Sequence, residues 1–198
     1  MEKEGAEAVM PELINFFTAW SVNTLFKSKY LEGSKKSTIG AKIFIKIANL
    51  YQKAYMKSLK ESKRFSPPND IRDLAKKASE VVSLGNQTGE GWLLTGEMIE
   101  LIEDDVKNVI CMQPFGCLPN HIIGKGSIKE LKRRYKDANI IPIDYDPSAS
   151  EVNQINRIKL MLSNAFKTMN NKEMTYIDIN DYKAKEPEEN KNECLAKC

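Results

Sequence analysis

From Pro11, a residue suited to a first helical turn, Leu13, Phe16, Phe17, Trp20 and Thr24 recur at intervals of three and four. That spacing predicts a helix with these side chains on one face. Lys35 to Ser37 interrupt the pattern, and Ile39, Ile43, Ile47, Leu50 and Ala54 predict a longer second helix that "FSPPND" (65–70) ends. Ile71, Leu74, Ala75, Ala78, Val81 and Val82 form the apolar stripe of a third, cleanly amphipathic helix.

The pattern then changes. "SLGNQTGEG" (83–91) is a polar loop punctuated by glycine, and "WLLTGEMIELIEDD" (92–105) predicts a helix. Val106 to Met112 reads as a buried strand, Ser127 to Tyr135 as a short charged helix, and "NIIPIDY" (139–145) as a second strand. "DPSASEVNQINRIKLMLSNAF" (146–166) predicts a further helix with Val152, Ile155, Ile158 and Leu162 on its inner face. Strand, helix, strand, helix is the βαβ order, which calls for parallel strands and a right-handed crossover. The fold class expected is therefore α/β, with a small parallel sheet behind a helical N-terminal region. "MTYIDI" (174–179) is a weak third strand candidate, and the polar tail from Lys183, with four lysines against four glutamates, reads as disordered. The domain boundaries expected are 1–66 for the helical region, 67–168 for the α/β module, and 169–198 for the weak strand and tail.

Composition narrows this little. Hydrophobic residues at 41% and charged residues at 29% are those of a globular chain, and a formal charge of +3 is too small to call for nucleic acid or a membrane surface. No apolar run reaches the ~18 residues of a bilayer span, and "MEKEGAEAVMPEL" lacks the apolar core of an export signal. Four cysteines without an export signal read as free thiols or ligands, which places the chain in the cytoplasm.

Candidate chemistry gathers at residues 108–135. "GKGS" (124–127) suggests a phosphate loop, but Gly126 separates Lys125 from Ser127, so a Walker loop fails. The dinucleotide pattern fails at Lys129, and no ATP site is expected. Cys111, Cys117 and His121 are spaced C-x5-C-x3-H, which is not a structural-zinc spacing, and "CLAKC" (194–198) is a poor anchor for a fourth ligand. Cys111, on the strand, reads as a small buried hydrophobe. Cys117, at a strand-to-helix turn, is expected to be exposed near a helix N-terminus, a position that favours thiolate. Ser148 and Glu151 have capping-box spacing, and Asp146-Pro147 marks a helix start, so a structural role alone could explain these acids. Glu97, within the apolar "LLTGEM", faces either a pocket or solvent. "KELKRRYK" (129–136) reads as the solvated side of a crossover helix.

The strings "GEGWLLTGEMIELI", "CMQPFGCLPNHIIGKGSIKELKRRY" and "IDYDPSASEVNQINRIKLML" resemble the C-terminal part of the large 2-hydroxyacyl-CoA dehydratase activase-related proteins of anaerobic bacteria. The resemblance runs from about Pro68 to Phe166, roughly half the chain. It implies flavodoxin-like α/β domains, so that the βαβ unit would be a flavodoxin-like piece. It also implies a [4Fe-4S] cluster held by a few cysteines, and an ATP-driven activase that delivers one low-potential electron for a ketyl-radical dehydration. "PFGCLPN" is similar to the turn that presents a cluster cysteine, which maps to Cys117.

The other cluster cysteines and the ATPase region would precede Met1 in a full-length relative, so the chain is expected to be a C-terminal piece. One well-placed thiol does not complete a cluster, which calls for another chain, an activase or dehydratase-like protein or a second copy. Asn120, His121, Glu97, Asp146 and Glu151 are the candidates for an adjacent pocket. Two alternatives stay open. One is a non-catalytic interaction module. The other is a binder of acyl-CoA at the strand C-terminal ends, with its phosphates on Lys125 and the following helix.

Overall fold

The computed structural model describes residues 1–62, 67–146, 148 and 150–173. The expected strand 174–179, the tail, Cys194 and Cys198 lie outside the described residues, as does Pro147. The chain divides into two compact units, Met1–Leu162 and Ser163–Cys198. In the second, the described residues continue the last helix to Glu173.

Among the described residues, six α-helices and two strands are arranged in the order α1 (Leu13–Tyr30), α2 (Lys35–Ser62), α3 (Ile71–Ser79), α4 (Trp92–Glu103), β1 (Asn108–Pro114), α5 (Lys125–Arg134), β2 (Asn139–Tyr145) and α6 (Glu151–Glu173). Among the described residues no helix is long and apolar enough to cross a membrane. The chain is mostly helical, with β1 and β2 in a two-stranded parallel sheet. Their register runs from Asn108 opposite Asn139 to Pro114 opposite Tyr145. Pro142 fits because a two-stranded sheet has only edges, where a missing N–H is tolerated.

β2 falls where the alternation predicts it. β1 begins two residues later than expected, because Val106 is still engaged with the end of α4: its N–H donates to Leu101 O over 2.8 Å. α3 follows the expected stripe from Ile71 to Ala78 but ends at Ser79, so Val81 and Val82, expected on it, lie half-buried in the turn beyond. Asp70 caps α3 by accepting from Arg72 N, and Ile71, Leu74, Ala75 and Ala78 are buried.

Two apolar clusters hold the unit together. Ala19 and Val22 of α1, Ile45 of α2, four residues of α3, and Trp92 and Leu93 of α4 form the first. Met98, Ile99 and Ile102 of α4, Val109 and Cys111 of β1, Ile128 and Leu131 of α5, and Ile140 of β2 form the second. α4 belongs to both, which is why its sequence is apolar almost all round. The first cluster draws on the N-terminal helices and on residues beyond 67 alike.

α1 and α2 are built the other way out from their sequence pattern. Leu13, Phe16, Phe17 and Trp20 are exposed, Trp20 by 74%, while Asn15, Thr18, Ala19, Ser21 and Val22 face inward. Ile39, Ile43, Ile47 and Leu50 of α2 are exposed too, and Ala41 and Ile45 are its buried residues. Small side chains let helices approach closely, and some of their polar atoms are satisfied locally, although Asn15 Nδ2 is buried without a partner among the described residues. Thr18 Oγ1 donates to Ile14 O at 3.0 Å, and Asn23 Oδ1 accepts from the indole of the fully buried Trp92 at 2.7 Å. α6 departs in the same way: Met161 and Leu162 are buried, Ile158 is half-buried, and Val152 and Ile155 are exposed.

Candidate functional site

β1 and β2 both end at one edge of the sheet, where open α/β sheets place their ligands. Past Pro114 the chain turns sharply. Phe115 N donates to Tyr145 O at 3.0 Å, Gly116 takes φ +69°, and Cys117 N returns to Pro114 O at 3.0 Å. A π-helical turn, Asn120–Gly124, then leads into α5.

This turn fixes the orientation of Cys117. The half-buried thiol accepts from Asn120 Nδ2 at 3.0 Å, and Asn120 itself is buried. The Cys117 carbonyl accepts from His121 N at 3.2 Å and lies 2.7 Å from His121 Nδ1. A carbonyl can only accept, so this contact is a hydrogen bond when Nδ1 carries the proton. Nε2 then points toward Asp144, 3.9 Å from its Oδ1.

Cys117, His121, Phe115, Gln113, Asp144 and Asp146 line an open cleft of about 530 Å³, within the size range of small-molecule sites. Asp144 is its electrostatic centre. Besides His121, Lys125 Nζ lies 4.0 Å and Arg157 Nη1 3.8 Å from its carboxylate. The Asp146 carboxylate accepts from both the N–H and the hydroxyl of Ser148 at 2.8 Å, which holds it below its ordinary range. The Ser148 hydroxyl is thus engaged with Asp146.

Behind the cleft, Cys111 is buried. Gln113 Nε2 donates to its Sγ at 3.1 Å, and a Cβ on Gly124 would lie 3.0 Å from that sulfur. Burial pushes the Cys111 thiol up, with the Gln113 bond opposing. Gln113 is 1% exposed, and its Oε1 has no partner among the described residues.

The glycine loop before α4 meets the same turn. Gly89 and Gly91 have φ of +56° and +47°, and a Cβ on Gly89 would come within 2.8 Å of Pro119 Cγ. Two segments about thirty residues apart are therefore packed together through Gly89, which leaves no room for a side chain against Pro119, while a Cβ on Gly91 would meet Asn86 of its own loop.

Of the residues expected at a site, the structure brings Cys117, His121 and Asp146 to the cleft, with Asn120 behind the thiol and Lys125 beside Asp144. Glu97 and Glu151 do not line it. Glu151 is exposed at the start of α6. Glu97 is half-buried on α4, and its carboxyl is pushed up to about 7, first by burial and then by the charges of Glu100 and Glu90. Asp144, Gln113 and Arg157 were not among the expected residues. The strand-end rule applied to "NIIPIDY" would have found Asp144. Nothing in the sequence marks Arg157.

Among the described residues, no group of three or more His, Cys, Asp or Glu is placed to hold a metal ion. A four-iron cluster takes three or four thiolates. Cys117 fits one such position, and the described residues do not by themselves fit a whole cluster. No family model matches the chain, and neither a curated protein nor a solved structure matches it.

Proposed function

We propose that the chain is an accessory or dehydratase-like module of an acyl-CoA dehydratase activase system. In this reading Cys117 contributes one thiolate to a [4Fe-4S] site completed by another chain, an activase or dehydratase-like protein or a second copy, and the β1–α5–β2 unit is a piece of a flavodoxin-like domain. The observation that carries it is the seat of Cys117. It is a half-buried thiol at the C-terminal ends of two parallel strands, in an open cleft, with its sulfur already accepting a side-chain N–H. Hydrogen bonds to a ligating sulfur, together with burial, are the levers by which a protein tunes such a cluster. The compartment that goes with this reading is the cytoplasm, where thiols stay reduced. A second reading, a docking module without a cluster, is favoured by the outward apolar faces of α1 and α2.

The test is anaerobic iron and sulfide reconstitution of the wild type, Cys117→Ser and Cys111→Ser, read by iron content and the visible spectrum. The cluster reading expects iron in the wild type and in Cys111→Ser, and none in Cys117→Ser. Iron retained by Cys117→Ser would remove the assignment. A wild type that takes up no iron even beside its partner would leave the docking reading.

A further inference from the structure

On α2, Ile43, Ile47, Leu50 and Ala54 recur at intervals of four, three and four, the spacing of a seam between two paired helices. All four are exposed, Ile47 by 48% and Leu50 by 61%. When they are taken as seam positions, Lys46, Lys53 and Lys60 fall at one equivalent flanking position in successive heptads. Flanking charges of this kind choose the partner of a paired helix.

The lysines stand beside a groove. Lys46 and Lys53, with Leu25, Ile47, Leu50 and Arg72, line about 750 Å³ of open space, and no carboxylate of the described residues lines it. Asp70 lies 3.9 Å from Arg72, but no described carboxylate forms an ion pair with Lys46, Lys53 or Lys60. α2 as a whole carries seven lysines against one acid, Glu61, which pairs with Lys57.

We propose that this face docks a helix of another protein, one with an apolar seam flanked by Glu or Asp. Charge decides among the occupants. A second copy packed antiparallel would set the lysine flank against itself. A parallel copy would set it against the flank of Phe44 and Tyr51, which offers no carboxylate. An anionic membrane would also draw the lysines, and binding to vesicles is one outcome of the test. An acidic helix covers the seam and neutralises the lysines together. The inference stands apart from the cluster reading, because no residue of the groove lines the Cys117 cleft.

The experiment titrates the full chain against a labelled synthetic helix with Leu at the seam and Glu on both flanks, read by fluorescence anisotropy. The same helix with Lys in place of Glu is measured alongside, as are vesicles of phosphatidylcholine and phosphatidylserine. Saturable binding of the acidic helix is expected, stronger than binding of the basic one. The exposed triple variant K46E/K53E/K60E should bind the acidic helix roughly tenfold more weakly and the basic helix more tightly, with unchanged circular dichroism. Equal binding of both helices to the wild type overturns the proposal. So does binding to vesicles alone, or a self-associated dimer that the acidic helix does not dissociate.

Discussion

Asn120 Nδ2 donates to Cys117 Sγ across 3.0 Å, so the turn that leaves the thiol half-buried also holds it in place. Six residues earlier, Cys111 is closed in by Gln113 and Gly124. The two thiols of one short segment therefore differ in access to solvent. Iodoacetamide added to the native chain should modify Cys117 at least roughly tenfold faster than Cys111. Peptide mass spectrometry over time reads both sites. Equal rates would mean that β1 opens freely.

Glu97 links stability to pH. Its carboxyl is raised from 4.5 to about 7 in the folded chain, so between those values the folded state holds the proton more than the unfolded one. Stability therefore falls as pH rises through this window, and the loss is complete above about 7. Glu97→Gln, which mimics the neutral form, should stabilise the chain by about 2 kcal/mol at pH 8 and hardly at all at pH 4.5. Urea unfolding midpoints at the two pH values check this. An equal gap at both would show that the charge of Glu97 is not the cause.

Two glycines with positive φ should differ sharply in tolerance. A Cβ on Gly91 would fall 1.9 Å from Asn86 O, the oxygen that accepts from Trp92 N, whereas a Cβ on Gly116 meets nothing within 4 Å. Gly116→Ala bears only the backbone cost, about 1 kcal/mol, or a fall in Tm of roughly 3 °C. Gly91→Ala must also displace backbone, at about 3 kcal/mol and a fall of roughly 8 °C. Calorimetry of the two variants compares them directly.

The outward face of α1 can be read from the chain's two tryptophans. Trp20 is 74% exposed and Trp92 fully buried. Acrylamide should quench about half the emission readily, and Trp20→Phe should remove that component and shift the remaining emission to the blue. If Trp20→Phe leaves the quenching unchanged, the indole is covered.

Legibility in the sequence followed the strength of local patterning. β2 was readable from "NIIPIDY", and α3 from a stripe whose residues do pack inward. The start of β1 was not, because the bond from Val106 to Leu101 carries α4 onward, and propensity does not show where a helix end is satisfied. At the site, Cys117 and His121 were legible as chemistry-bearing types at a strand-to-helix turn. Arg157 was not. It reaches Asp144 from α6, thirteen residues further along the chain, through a meeting that only folding makes.

What the sequence alone determined, among the described residues, is the α-helices and the two strands and their order, because hydrogen bonding and side-chain period act within a few residues of each position. What only the tertiary structure decided is which face of α1 and α2 turns inward. Periodicity marks the apolar side of a helix but does not say whether its cover is in the same chain. Here Asn15, Thr18, Ala19 and Ser21 pack inside, where small side chains permit close approach, and the larger apolar residues of both helices are left facing outward.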